Sequence, residues 1–296
     1  MSKEIPITFA CHDHTAVGIV HCGNPEHRRG VLVVVGGPQT RVGSHRQFTL
    51  LARHLAAHGV PVLRFDYRGM GDTAGAQRTF EEIDEDIRAA IDAFYHQCKQ
   101  LDDVVIWGLC DAASAAMFYA HQDPRVSGLV LLNPWARTAS GQAKTYLKRY
   151  YLSRLKDPML WRKIRQGEFD AVAATKSLFS LARSALGLQR NGTSRAQHTT
   201  IAEPQTRPPC QNTASLSDRM VAGLEKFPGK LLFILSGQDL TAAEFLDMMH
   251  AERRWRTFCK RRHYERYDIP EANHTFARQM WRDEVAQKTF DWMQSW

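Results

Sequence analysis

Short apolar, β-branched runs alternate with longer stretches of helical period along this chain. Val31–Val35 reads VLVVV and is ended by Gly36, Gly37 and Pro38. A run with no polar face predicts a strand buried on both sides, as in a parallel sheet. Ser44-x-x-Gln47 has the form of a capping box, and Phe48, Leu51 and Leu55 follow at helical spacing until Gly59. Val60–Phe65 is the next expected strand. A second box, Thr79-x-x-Glu82, precedes the apolar stripe Ile83, Ile87, Ile91 and Phe94. Val104–Trp107 predicts a strand that runs directly into Gly108-Leu109-Cys110-Asp111-Ala112, and the small residues AASAAMFYA then predict a buried helix. Further strands are expected at Leu129–Leu132, Leu231–Leu235 and His263–Ile269, with Thr241-x-x-Glu244 capping a helix after the second of these and a last helix near Trp296. This alternation predicts a mostly parallel central sheet flanked by helices. In such a sheet the site lies at the carboxyl ends of the strands.

The pattern breaks at Arg137. From there to Arg165 nine cations face Asp157 alone, with Tyr146, Tyr150, Tyr151 and Trp161 interleaved. The expected organisation is a core of residues 1–136 and 219–296, a helical cap over 137–188, and a flexible loop over 189–218 that is rich in Ser, Thr, Gln, Arg and Pro. The net charge of +8 is compatible with an anionic partner or with a merely solvated basic surface. Seven further cations lie between Arg253 and Arg266, but no nucleic-acid motif accompanies them, so no nucleic-acid partner is expected. The six cysteines form no C-x-x-C pair and have no zinc spacing, so neither a metal nor another cofactor is expected. The N-terminus carries no apolar signal segment, and no run of about 18 apolar residues occurs. The expected location is the cytoplasm, with peripheral contact at the inner membrane face as a further expectation of the basic segment.

Gly108-x-Cys110-x-Ala112 stands between a strand and a small-residue helix, where a nucleophile elbow G-x-S-x-G belongs. The two flanking positions must be small because the turn is too sharp for bulk. Cys110 then sits at a helix N-terminus, whose dipole favours a thiolate. The α/β-hydrolase order of nucleophile, acid and histidine points to Asp239, after the strand at Leu231–Leu235, and His274, after the last strand. His274 would accept the thiol proton, and Asp239 would orient the imidazole unless it serves only as a helix cap. The oxyanion hole is expected from the Asp111 N–H and the loop Gly36-Gly37-Pro38-Gln39. Pro38 has no N–H, so Gln39 is the expected second donor. Gly37, Pro38, Trp135, Tyr150 and Tyr151 are the expected substrate-binding residues. Asp111 is out of place chemically, since its charge would oppose a thiolate unless it points away.

These residues resemble the α/β-hydrolase superfamily, with RFDYRGMGDT at Arg64–Thr73 similar to its D-x-R-G-x-G-x-S segment. GGPQTRVGSHRQF, RFDYRGMGD, WGLCDAASAA, LLNPW and SGQDLTAAEF together resemble the exosortase A system-associated hydrolases. That resemblance implies a hydrolase-like enzyme serving exopolysaccharide production. The expected chemistry is ester or thioester hydrolysis, or acyl transfer to a saccharide or lipid-linked acceptor, through an acyl-cysteine. The competing expectation, favoured by Pro38 and Asp111, is a catalytically retired binding or scaffold protein of the same pathway.

Overall fold

The computed structural model describes residues 3–136 and 214–296. The expected cap at 137–188, Tyr150, Tyr151 and most of the expected loop at 189–218 lie outside the described residues. Within the described residues, Met1–Ala136 and Leu216–Trp296 belong to one packing unit.

An eight-stranded sheet carries the fold, in the order β1-β2-β4-β3-β5-β6-β7-β8. Its strands are β1 (Glu4–Cys11), β2 (His14–His21), β3 (Arg29–Val34), β4 (Val62–Asp66), β5 (Asp103–Leu109), β6 (Val126–Leu132), β7 (Lys230–Ser236) and β8 (Glu265–Ile269). The first two form an antiparallel hairpin that joins β4 antiparallel, and every pair from β4 through β8 is parallel. Seven helices are described: α1 (Gln47–Ala57), α2 (Asp84–Gln97), α3 (Asp111–Tyr119), α4 (Leu216–Lys226), α5 (Leu240–Ala251), α6 (Arg253–Arg261) and α7 (Gln279–Gln294). The central strands are buried along nearly their whole length. Both faces of the sheet are therefore covered, as their unbroken apolar runs require.

The helix starts differ from the expected capping boxes. Ser44 opens a short 3₁₀ turn, and α1 begins after Arg46, whose backbone is left-handed at φ 59°. The Glu82 carboxylate does accept from the Thr79 N–H at 3.3 Å, but this closes a turn, and α2 starts only at Asp84. Helix α4 begins at Leu216, within the stretch expected to be loop. The basic run after Arg253 is a helix, α6, that buries Trp255 and Phe258 against the core.

The Arg64–Thr73 segment is a clamp. Asp66 is fully buried and accepts the Arg41 N–H at 2.6 Å and the Asp72 N–H at 3.1 Å. The Arg41 guanidinium also bonds Asp66 and reaches Asp72 at 2.6 Å. The Arg64 guanidinium donates to the Arg41 carbonyl at 2.9 Å and to His21 Nε2 at 2.8 Å. The loop after β3 is thereby tied to the loop after β4.

His21 is completely buried, and burial first, then the neighbouring Arg64, pushes its pKa down to about 4. The unfolded chain binds this proton from about pH 6.5 downward and the folded chain does not, so stability falls as pH drops from 6.5 towards 4. His21→Gln should remove roughly 2 kcal/mol of the loss between pH 7.5 and pH 4.5. Urea unfolding at pH 7.5 and pH 4.5 checks this, and an identical acid loss in both proteins would refute it.

Candidate active site

Strand β5 ends at Leu109 and α3 begins at Asp111, so the chain turns on Cys110 alone. Its backbone lies at φ 63° and ψ −123°. A non-glycine residue held there costs on the order of 1–3 kcal/mol and persists only where the surroundings impose it. Here the Cys110 N–H donates to the Leu132 carbonyl at 2.9 Å, and the Cys110 carbonyl accepts from Trp135 N–H and Ala113 N–H, each at 3.1 Å. The Ser114 hydroxyl adds a bond to the Trp135 carbonyl at 2.7 Å. The small flanking residues are needed for the expected reason. A Cβ on Gly108 would lie 2.7 Å from the Ala112 carbonyl carbon. Cys110 is partly exposed between buried Leu109 and Ala112, at the N-terminus of α3. Trp135 thus holds the turn through its backbone.

Asp239 lies beyond the end of β7 and His274 in the loop after β8. Their side chains meet, with His274 Nδ1 2.9 Å from Asp239 Oδ2. Asp239 is also the N-cap of α5, accepting from Thr241 N–H at 3.2 Å and Ala242 N–H at 3.0 Å. The cap is therefore Asp239 rather than the Thr241–Glu244 box, and the residue serves both ends at once. Burial alone would raise its pKa, but the His274 ring and the two N–H donors outweigh this and hold it below the ordinary aspartate value. An ionised Asp239 places the imidazole proton on Nδ1 and leaves Nε2 as the acceptor, the tautomer a general base needs.

Asn133 is a residue that periodicity does not single out. It directly follows β6, with a left-handed φ of 42°, and is fully buried. Its side chain accepts the Ser236 N–H at 2.8 Å and donates to Ser236 Oγ at 2.8 Å and to the His274 carbonyl at 3.0 Å. Ser236 Oγ in turn donates to the Asn273 carbonyl at 2.9 Å. The histidine loop is thus fixed to the ends of β6 and β7. The only local sign in the sequence is a polar residue between an apolar run and a proline, in LLNPW.

The loop after β3 meets the elbow at Asp111. The Gly37 N–H donates to Asp111 Oδ2 at 2.8 Å, and the Ala112 N–H donates to Asp111 Oδ1 at 3.0 Å. Gly37 has a φ of 57°, which explains its identity, since a Cβ there would touch nothing. Gly36 is glycine for a different reason: a Cβ would stand 2.3 Å from Asp111 Oδ1. Gly37, one residue before Pro38, does have an N–H, and it is the one bonded to Asp111. Gln39, expected in that role, has its side-chain oxygen accepting from the Ser44 N–H at 3.2 Å. Pro38 is exposed. Among the described residues no cluster of three or more His, Cys, Asp or Glu side chains could hold a metal ion. No helix among them is long and apolar enough to cross a membrane.

Asn133→Ala strands the buried Ser236 N–H, leaves the Ser236 hydroxyl and the His274 carbonyl each without this donor, and places alanine at a positive φ. It should cost about 2–4 kcal/mol in urea unfolding. A loss under about 0.5 kcal/mol, the range of an ordinary surface change, would contradict the bracing role.

An esterase from Pyrococcus furiosus superposes with a TM-score of 0.63 at 13% identity, over 100% of this chain and 93% of that one. Est1E from Butyrivibrio proteoclasticus, solved with ferulic acid bound, gives 0.59 at 12% identity, over 98% of each chain. A dienelactone hydrolase from Anabaena variabilis gives 0.56 at 14% identity, over 100% of this chain and 98% of that one. A search of the curated proteins finds no sequence match. Residues 31–288 match the alpha/beta hydrolase family, which spans most of the chain and the whole of the site, and the chain belongs to that family.

Proposed function

We propose that this protein hydrolyses or transfers an acyl group through a thioester on Cys110, with His274 as base and acid and Asp239 as its partner. The observation that carries the reading is the 2.9 Å contact between His274 Nδ1 and the ionised Asp239. Around it, Cys110 leaves β5 and Asn133 leaves β6 at the same edge of the sheet, since Leu109 and Leu132 are in register.

His274 takes the Cys110 proton, and the thiolate attacks the carbonyl carbon of an ester or thioester. The tetrahedral intermediate collapses as the C–O or C–S bond breaks, and the imidazolium gives its proton to the departing alkoxide or thiolate. In the second half His274 deprotonates water or an acceptor hydroxyl, which attacks the acyl-cysteine and releases the thiolate. Water gives hydrolysis and a sugar or lipid-linked hydroxyl gives transfer. A thiol exchanges readily with thioester donors, which favours transfer as much as hydrolysis. The resemblance to exosortase-associated hydrolases suggests an exopolysaccharide setting, and the basic segment 137–165 suggests peripheral contact with an anionic membrane.

One observation favours the other reading, a binding protein of the same fold without turnover: the Asp111 carboxylate holds the Gly37 N–H that a substrate oxygen would need. Intact-mass measurement after incubation with p-nitrophenyl acetate and with butyryl-coenzyme A separates the two. An acyl adduct that maps to Cys110 and is lost in Cys110→Ala is the expected result. His274→Ala should slow its formation by about a thousandfold. No adduct with either donor, or an adduct that persists in Cys110→Ala, would overturn the proposal.

A further inference from the structure

We propose that the Asp111 side chain is an internal occupant of the oxyanion hole, so that an acyl substrate must displace it before its own carbonyl oxygen can be stabilised. The inference rests on the reading of Cys110 as nucleophile and adds a residue that governs which acyl groups that nucleophile can reach.

In this fold the developing oxyanion is met by the N–H of the residue after the nucleophile and by an N–H from the loop after β3. Those groups are the N–H of Asp111 and the N–H of Gly37. The second of these is taken by the Asp111 carboxylate, since Gly37 N–H reaches Oδ2 at 2.8 Å, and the first belongs to the residue that carries that carboxylate. The Ala112 N–H completes the set at 3.0 Å from Oδ1. A carboxylate is a near substitute for an oxyanion, with negative charge on oxygen set among oriented N–H donors at the start of α3. It has room there because residue 36 has no side chain, the position a Cβ would take being 2.3 Å from Oδ1.

The donors cannot simply turn away. The β3 loop is clamped through the Arg41 N–H and guanidinium to buried Asp66, and Arg64 holds the Arg41 carbonyl. The elbow is held by Leu132 and Trp135. What is left to move is the Asp111 side chain, which a rotation about its Cα–Cβ bond would carry off the donors. Burial raises its pKa above the ordinary aspartate value despite the N–H donors and the nearby His274, so the charge is held less firmly than its hydrogen bonds suggest.

The test uses the full chain and p-nitrophenyl acetate, with the rate of acyl-Cys110 formation read by quenched intact mass. Asp111→Ala vacates the donors and should raise the maximal acylation rate at least about tenfold, since a single oxyanion donor is worth on the order of 100-fold or more. KM should change little. Butyraldehyde, whose thiohemiacetal oxygen needs the same donors, should inhibit Asp111→Ala more tightly by a similar factor. Asp111→Asn, neutral and isosteric, should fall between the two proteins. A purely structural Asp111 would instead lower the melting temperature and the acylation rate together. Acyl-Cys110 that forms in the wild type and forms no faster in the variants overturns this inference alone. Should Asp111→Ala not fold, Asp111→Asn decides by the same criterion. If no protein in the series acylates Cys110, the nucleophile assignment fails and this inference with it.

Discussion

The site is organised around one strained residue. Cys110 must leave a buried parallel strand and start a helix in the space of a single peptide unit, at φ 63°. The cost, on the order of 1–3 kcal/mol, has to be met by contacts that exist only in this fold. They come from β6 and the segment after it, through Leu132 and Trp135, and from the absence of side chains at Gly108 and Gly36. The strain also explains why the thiol is partly exposed while Leu109 before it is buried. A relaxed turn would carry Cys110 into the core with Leu109.

The same economy governs the histidine loop. A buried aspartate is costly, and Asp239 is tolerable because three donors share it: two N–H groups of α5 and the His274 ring. Capping the helix fixes the carboxylate, and the fixed carboxylate sets the imidazole tautomer. Asn133 and Ser236 hold the backbone beneath, so the ring's position is determined by strand ends rather than by the loop itself. The β3 loop is anchored in parallel fashion by Arg41 on Asp66. The turn at Cys110, the His274 ring and the Gly37 N–H thus all lie just beyond strand ends, those of β5, β8 and β3.

Much of this was legible in the residues before any coordinates. The parallel strands announced themselves as apolar runs, and the elbow as small residues around Cys110, because burial on both faces and close backbone approach leave direct marks on residue type. The parts that escaped depend on where the backbone points. None of the three expected capping boxes starts its helix: α1 follows Arg46, α2 follows Ile83 without a side-chain cap, and α5 is capped by Asp239 just beyond the end of β7. The hairpin β1–β2 escapes a search for wholly apolar runs because Ile5, Ile7, Phe9 and Cys11 alternate with polar and small residues along β1, and α6 is hidden by its arginines although it buries Trp255 and Phe258. Asn133 and the Asp111–Gly37 contact join residues 103 and 74 positions apart along the chain, and no local pattern encodes a bond of that span.

The strained turn should make Cys110 the most reactive thiol of this protein. Cys11 and Cys98 are buried, and burial pushes each of their pKa values up to about 11, which makes them poor nucleophiles at neutral pH. Limited alkylation with iodoacetamide at pH 7, followed by peptide mapping across all six cysteines, tests the claim directly. Cys110 should be modified first, and His274→Ala should slow its modification. Labelling of the other cysteines with Cys110 untouched would contradict the account.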